Sequence, residues 1–249
     1  MGKIRMLNKS INFYKKWTDE SRILIYQMGK VGSTSLEMNL KNSLHFHSLY
    51  NNSPCFPHFQ QKNNTIVKKL YATLNLFLIR LLIKRRKTIK IITLVRDPMH
   101  RDISMFFQDL PFWVSRYILS DKVDTRGEGF DFLSDAFHTS YDIDYGLKWF
   151  DKELKRFSGF DVYDHEFNVD GDIIKVDKFE ILILKMESMN DHRELINKFL
   201  GEEADLVSTN RGEKKWYGPV YKNFKDNVIL DSGYIEKVTS SKLYNKFYK

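Results

Sequence analysis

The sequence predicts an α/β domain whose mostly parallel sheet is flanked by helices. Three observations carry that expectation. Short apolar runs rich in β-branched residues, Ile23–Tyr26, Lys90–Val95 and Phe179–Lys185, alternate with longer segments of helical character. The runs lack the polar alternation of a half-exposed sheet, which suits parallel strands covered on both faces. No internal repeat or low-complexity linker interrupts the 249 residues, so one domain over 1–249 is expected.

Taken in order, residues 1–21 are polar and basic and read as an N-terminal extension with a helix from Ser10 to Trp17. The first strand ends in the small-residue turn Gly29-Lys30-Val31-Gly32-Ser33-Thr34, and a helix-compatible stretch, Ser35 to Leu40, follows. Ser43–Ser48 is short and alternating, a second strand. Asn51 to Pro57 is turn-rich and reads as loop. Thr65 to Lys87 has a helical face of Val67, Leu70, Leu74, Phe77, Leu78 and Leu81, widened by Leu76, Ile79 and Ile83. Its apolar run is too short to span a bilayer and contains Arg80. It is expected to pack against the sheet, as apolar helices of α/β folds do; the alternative is a helix lying on an anionic membrane surface. Arg96-Asp97-Pro98 stops the Lys90–Val95 strand, and Pro98 suits the first turn of a helix running to about Asp109. Residues 110–175 are aromatic and mixed in charge, with loop glycines Gly127 and Gly129 and a helix from Asp144 to Phe157. The acids between Asp161 and Asp172 read as a solvated loop. After the last strand comes a helix, Asp191 to Leu200, with Asp191 as N-cap and Gly201 as stop. A basic, aromatic segment spans Arg211 to Phe224, and the tail from Ser240 to Tyr248 is helical.

Composition narrows the chemistry. Forty Lys and Arg against 32 Asp and Glu give a net charge of +8, which favours an anionic partner. The basic residues are dispersed and match no nucleic-acid module, so nucleic acid is not expected. The single cysteine, Cys55, provides neither a disulfide framework nor a thiolate metal site. His45, His47 and His58 do not fit a metal-ligand spacing, so no metal is expected. Met1 to Arg22 has no apolar core and no small-residue cleavage site, so the expected location is cytoplasmic, or peripheral to the inner face of the membrane through the Thr65–Lys87 helix.

The Gly29–Ser35 turn brings glycines for close backbone approach, a lysine and two hydroxyls to the start of a helix, an arrangement suited to an anion. It is not a Walker A loop, because Val31 follows Lys30 and the hydroxyls come three and four residues later. Arg96 ends a buried strand and Ser104 lies eight positions on, so both side chains are expected at the same carboxyl-end crevice. An arginine fork and a hydroxyl suit a terminal phosphate monoester.

Together, Lys30-Val31-Gly32-Ser33-Thr34 and Arg96-x7-Ser104 resemble the two halves of the 3′-phosphoadenosine 5′-phosphosulfate (PAPS) site of P-loop sulfotransferases. Ile181 to Met189 is similar to the strand and turn before the penultimate helix of that fold. Lys214-Lys215-Trp216-Tyr217-Gly218, with Tyr221 to Phe224, resembles the Asn-Lys-Trp-Tyr-Ser signature of a bacterial capsular polysaccharide synthesis family, with Lys214 in place of Asn and Gly218 in place of Ser. The resemblance implies sulfuryl transfer from PAPS, without a metal, to a hydroxyl of a cell-surface glycan. It implies that Lys30 stabilises the bridging oxygen. Gly29, Val31, Gly32, Ser33, Thr34 and Ser35 would hold the 5′-phosphate, Arg96 and Ser104 the 3′-phosphate, and Arg211 and Lys215 would close over it. Residues 110–175 would bind the acceptor.

The acceptor hydroxyl needs a base. His45 and His47 share one face of the second strand, and His47 stands nearer its carboxyl end, so His47 is the expected base, with a pKa near neutrality; Glu37 is the alternative. Two rival functions remain. A P-loop kinase would need a magnesium-binding Asp, for which only Asp97 is placed. A non-catalytic adaptor in polysaccharide assembly would bind nucleotide or membrane without chemistry.

Overall fold

The computed structural model describes residues 17, 23–40, 42–50, 66–120, 129–167, 171–203 and 215–249. The leading helix, apart from Trp17, and the Asn51–Pro57 loop lie outside those residues, as do Gly127, Arg211 and Lys214.

Five strands form one sheet: β1 (Ile23–Tyr26), β2 (Ser43–Phe46), β3 (Ile89–Val95), β4 (Gly171–Val176) and β5 (Phe179–Lys185). Their order is β2-β1-β3-β5-β4, with β1, β2, β3 and β5 parallel and β4 antiparallel on the β5 edge. The mostly parallel α/β expectation therefore holds. β3 is central, paired with β5 from Ile89↔Phe179 to Val95↔Lys185. Ile91 to Val95 are all buried, as a strand covered on both faces requires. The chain runs from β1 outward to β2 and returns past β1 to β3. The gap between β1 and β3 is thus the topological switch point, where the carboxyl ends of an open sheet leave a crevice.

α1 (Ser33–Asn39) links β1 to β2, α2 (Ile66–Lys84) precedes β3, and α3 (Pro98–Gln108) follows it. The β2 strand stops at Phe46, two residues short of the expected end, and His47 lies just beyond it. α2 does not bury its whole circumference as expected. Ile79 and Ile83 face the core, while Ile66, Leu70, Leu74, Phe77, Leu78 and Leu81 are exposed.

The aromatic middle is more helical than its sequence announces. α4 (Leu110–Ile118) and α5 (Phe130–Ser140) pack together, with Gly129 at φ 63° before α5. The expected Asp144–Phe157 helix is instead α6 (Asp144–Leu147), a π-helical turn Phe150–Lys155 and a final α-turn Arg156–Ser158. Asp172 belongs to β4 and not to a solvated loop, and it pairs with His165 at 3.0 Å. A 3-10 turn, Met189–His192, absorbs Asp191, so His192 and not Asp191 precedes α7 (Arg193–Leu200). Gly201 ends α7 at φ 79°, the left-handed stop expected of it. α8 (Gly218–Asn227), α9 (Ser232–Thr239) and α10 (Lys242–Phe247) complete the chain.

The carboxyl-terminal segment is joined to the end of α3 by aromatic packing. Phe224 of α8 lies 5.2 Å from Phe107 and 6.1 Å from Phe106, and Tyr217 lies 5.9 Å from Phe107. α3 therefore carries Arg101 near its start and an aromatic platform for the last helices at its end.

Candidate functional site

The site begins with how β1 ends. Its ladder to β3 stops at Ile25↔Ile92, yet Leu94 N–H is buried and needs an acceptor. Gln27 Oε1 accepts from it at 3.0 Å, while Gln27 N–H donates to the Phe46 carbonyl at 3.2 Å. One buried glutamine thus holds β1, β2 and β3 together where the chain leaves the sheet. Lys30 then adopts φ 70°, uncommon for a residue with a side chain, and Gly32 adopts φ 90° as the residue before α1. A β-carbon at Gly32 would sit 3.4 Å from Leu94 and 3.5 Å from Met186, so the loop rests directly on the ends of β3 and β5.

Arg96, at the end of β3, donates from Nη1 to the Lys30 carbonyl at 3.0 Å. Lys215, distant in sequence, is close enough for its charge to act on the Lys30 ammonium. Burial pushes the Lys30 pKa down to about 7, and the positive charges of Lys215 and Arg96 push the same way; Asp109 opposes them weakly. Three cations from three parts of the chain thus meet at the switch point. Lys215 is placed there by Tyr217, whose ring lies 5.9 Å from its ammonium and packs on Phe107, while Trp216 is exposed.

The expected site residues divide as follows. Gly29, Lys30, Val31, Gly32, Arg96 and Lys215 gather at the crevice. Ser35 is buried on the first turn of α1, and its N–H donates to the Gly32 carbonyl at 3.1 Å. Ser104 is buried two turns into α3. Ser33 and Thr34 lie at the start of α1, with side chains outside the described ones, as is Arg211. Asp97, the one residue placed for a magnesium ion, caps α3 by accepting from His100 N–H at 2.9 Å.

His47 and His45 stand side by side, ring centroids 4.3 Å apart, so they do share a face. His47 Nδ1 is 3.1 Å from the Gln27 carbonyl. Because a carbonyl only accepts, Nδ1 carries the proton and Nε2 carries the lone pair. Trp149 Nε1 donates to the His47 carbonyl at 2.8 Å and fixes the segment from behind. Burial lowers the pKa of His47 to about 4, with His45 adding to the effect, so the near-neutral value expected of it does not hold. Burial lowers His45 to about 4 as well, and Glu37 Oε2 lies 3.4 Å from its Nδ1.

Two groups of site residues are not visible as such in the sequence. Arg101 is 1% exposed, donates from Nε to the Gly29 carbonyl at 3.1 Å and pairs with its buried neighbour Asp102. Tyr141 and Tyr234 donate to Asp102 at 3.1 and 3.2 Å. Burial nevertheless raises Asp102 to about 6, against the pull of Arg101. Gly146 makes the room, since a β-carbon there would fall 2.3 Å from Arg101 Nη1. The second is Glu153, 4% exposed, which accepts from the Tyr26 and Ser48 hydroxyls and from the Leu49 and Tyr50 N–H groups. A charged residue in a helical stretch ordinarily reads as solvated; only Gly146 carried a hint of a close approach.

Among the described residues no helix is long and apolar enough to cross a membrane. Searches of curated proteins and of solved structures return no match to the chain. A family model does match, over residues 123–249, which spans Glu153, Lys215 and the packed aromatic helices; the loop at Lys30 and Arg96 precede it. That stretch is just over half of the chain, and it includes the Lys-Trp-Tyr segment that brings Lys215 to the crevice. The chain accordingly belongs to the NKWYS family, described as "Putative capsular polysaccharide synthesis protein".

Proposed function

We propose that this protein is a PAPS-dependent sulfotransferase with a P-loop sulfotransferase-like fold, and that it transfers a sulfuryl group to a hydroxyl of a capsular or other cell-surface glycan. The observation that carries the reading is the meeting of Lys30, Arg96 and Lys215 at the β1/β3 switch point. Three cations held together repel one another and favour a multiply charged anion between them. The loop order, Lys30 before Ser33 and Thr34, and the Arg96-x7-Ser104 spacing favour a nucleotide phosphorylated at both ends over a simple phosphate.

In the reaction, the acceptor oxygen forms a bond to sulfur while the bond from sulfur to the bridging phosphate oxygen breaks. The leaving group is adenosine 3′,5′-bisphosphate. Lys30 supplies positive charge to the bridging oxygen, and Arg96 and Lys215 hold phosphate charge. Such transfer depends on positioning and charge stabilisation more than on covalent chemistry from the protein. The acceptor proton passes to His47 Nε2, which already carries the lone pair.

The test is nucleotide binding by thermal shift and calorimetry. Adenosine 3′,5′-bisphosphate is expected to stabilise the chain well beyond adenosine 5′-monophosphate. Arg96→Ala is expected to remove most of that difference, since a charge-assisted contact contributes about 1.5–3 kcal/mol, roughly 10–150-fold in affinity. Equal effects of the two nucleotides would end the assignment of Arg96 to the 3′-phosphate. Stronger stabilisation by magnesium ATP would favour the kinase reading.

A separate prediction concerns the base. His47→Ala is expected to lower the release of adenosine 3′,5′-bisphosphate from PAPS in the presence of capsular oligosaccharide by about 10²-fold or more, with nucleotide affinity unchanged. His45→Ala should act mainly on stability. Activity retained by His47→Ala and lost in Glu37→Ala would move the base to α1.

A further inference from the structure

The outer face of α2 has no role in the site and, among the described residues, no apolar partner. Ile66, Leu70, Leu74, Phe77, Leu78 and Leu81 are exposed, Ile66 and Leu70 by 85% and 69%. At 100° per residue these six fall within roughly 120° of the helix circumference, a stripe about 22 Å long. Ile79 and Ile83 lie on the opposite side and anchor the helix to the core. Arg80 is held at the edge, donating to the Leu49 carbonyl and stacking 4.5 Å from the Tyr50 ring. Six large apolar side chains in one continuous stripe are more than scattered surface apolar residues, and they mark a surface that is covered in use.

The charge around the stripe identifies what covers it. Between Ile66 and Lys87, the helix and its carboxyl-terminal flank, the sequence has seven Lys and Arg and no Asp or Glu. Arg85 and Lys87, just past the end of α2, are exposed. An apolar stripe on an acid-free, basic segment matches the boundary of an anionic lipid bilayer, where apolar side chains enter the acyl edge and cations meet the headgroups. A second copy of the chain fits poorly. It would bring two basic segments together, with no carboxylate between residues 66 and 87 of either copy to pair with their lysines and arginines. We propose that α2 docks the protein on an anionic membrane surface, lying in the interface without crossing it. This site is independent of the crevice, and it holds whatever reaction the crevice performs.

The test is co-sedimentation of the full chain with vesicles of phosphatidylcholine alone and of a phosphatidylcholine–phosphatidylglycerol mixture. Binding is expected to the mixed vesicles, to weaken with added salt, and to be slight on phosphatidylcholine. Leu70→Glu with Leu74→Glu is expected to lower the partition coefficient by at least ~100-fold. Arg85→Gln with Lys87→Gln should lower it by ~25-fold, each charge contributing about 5-fold near an anionic surface. All four positions are exposed, and an unchanged thermal midpoint would show that the variants fold. The lipid and salt dependence of the unaltered chain tests the proposal without any variant. Equal binding to both vesicle types, or binding unaffected by the two glutamates, would overturn it. So would a concentration-dependent dimer that the two glutamates abolish, which would assign the face to a second copy. Adenosine 3′,5′-bisphosphate binding should be the same in all these variants, so the result leaves the sulfotransferase reading to its own test.

Discussion

Lys30→Ala should lower turnover by about 10²–10³-fold while leaving adenosine 3′,5′-bisphosphate affinity much less changed, because the charge that Lys30 meets on the bridging oxygen develops as the sulfuryl group departs. Its environment adds a pH dependence. Burial, with Lys215 and Arg96, holds Lys30 at about 7, so in the free protein it loses its proton as pH rises through that value. Only the protonated form can neutralise the leaving oxygen, so kcat/KM should fall as pH rises above about 7. Burial holds the His47 base at about 4, which puts the acid limb near that pH and not near neutrality. Lys30→Arg, charged at every accessible pH, should lose the alkaline limb even if its geometry is poorer. Binding offers a check without an acceptor. At about pH 8 free Lys30 is mostly neutral, and an entering polyanion restores its proton, so calorimetry in buffers of different ionisation enthalpy should show uptake approaching one proton. At about pH 5.5 uptake should vanish. Uptake that is the same at both pH values, or an alkaline limb that survives in Lys30→Arg, would remove Lys30 from this role.

The parts of the site legible in the sequence are those where one residue type has one use. A β-branched run followed by a glycine turn left few options for β1 and its loop. An arginine ending the buried run Ile91–Val95 had to emerge at the carboxyl edge, where it contacts the Lys30 carbonyl. Lys215 was anticipated only through the Lys-Trp-Tyr resemblance; its place beside Lys30 depends on Tyr217 packing on Phe107, a contact across more than a hundred residues. Residues whose partners come from several elements were not legible. Arg101 and Asp102 lie on a helix where charged residues are usually solvated, and Tyr141 and Tyr234, which make their burial tolerable, are far away in sequence. β4 was missed because Gly171-Asp172 opens it and it lies on the edge, half exposed, without the apolar run of its neighbours. α2 shows the reverse. Its nearly all-round apolarity suggested a core helix, yet the core takes only the Ile79–Ile83 side.

Glu153→Ala should produce the largest loss of stability. The carboxylate is nearly inaccessible and accepts from the Tyr26 hydroxyl at 2.5 Å, the Ser48 hydroxyl at 2.5 Å, Leu49 N–H at 2.9 Å and Tyr50 N–H at 3.2 Å. These donors come from the end of β1 and from the segment after β2, so one side chain fixes both against the turn Phe150–Lys155. That turn is π-helical, an insertion that changes which side chain faces inward and is common at constrained sites. Burial, with Glu153 beside it, holds the Tyr26 hydroxyl well above its usual pKa, so it remains a donor throughout the accessible range. Truncation takes the acceptor from the buried Tyr26 hydroxyl and Leu49 N–H, at about 1–3 kcal/mol for each that water does not reach, and loosens Ser48 and Tyr50, whose N–H keeps the Ser48 hydroxyl oxygen at 3.3 Å. A total near 3–5 kcal/mol is expected, a large share of the 5–15 kcal/mol typical of a domain, and about 10 °C in thermal midpoint. Glu153→Gln keeps one carbonyl acceptor but turns an NH2 toward the remaining donors, so its loss should fall between those of the parent and the alanine variant. The same carboxylate holds Ser48 and Leu49, the neighbours of His47, so a chain that still folds should lose turnover more than nucleotide affinity. A midpoint within a degree or so of the parent in Glu153→Ala would show that water replaces the carboxylate, and that His47 is held by Gln27 and Trp149 alone.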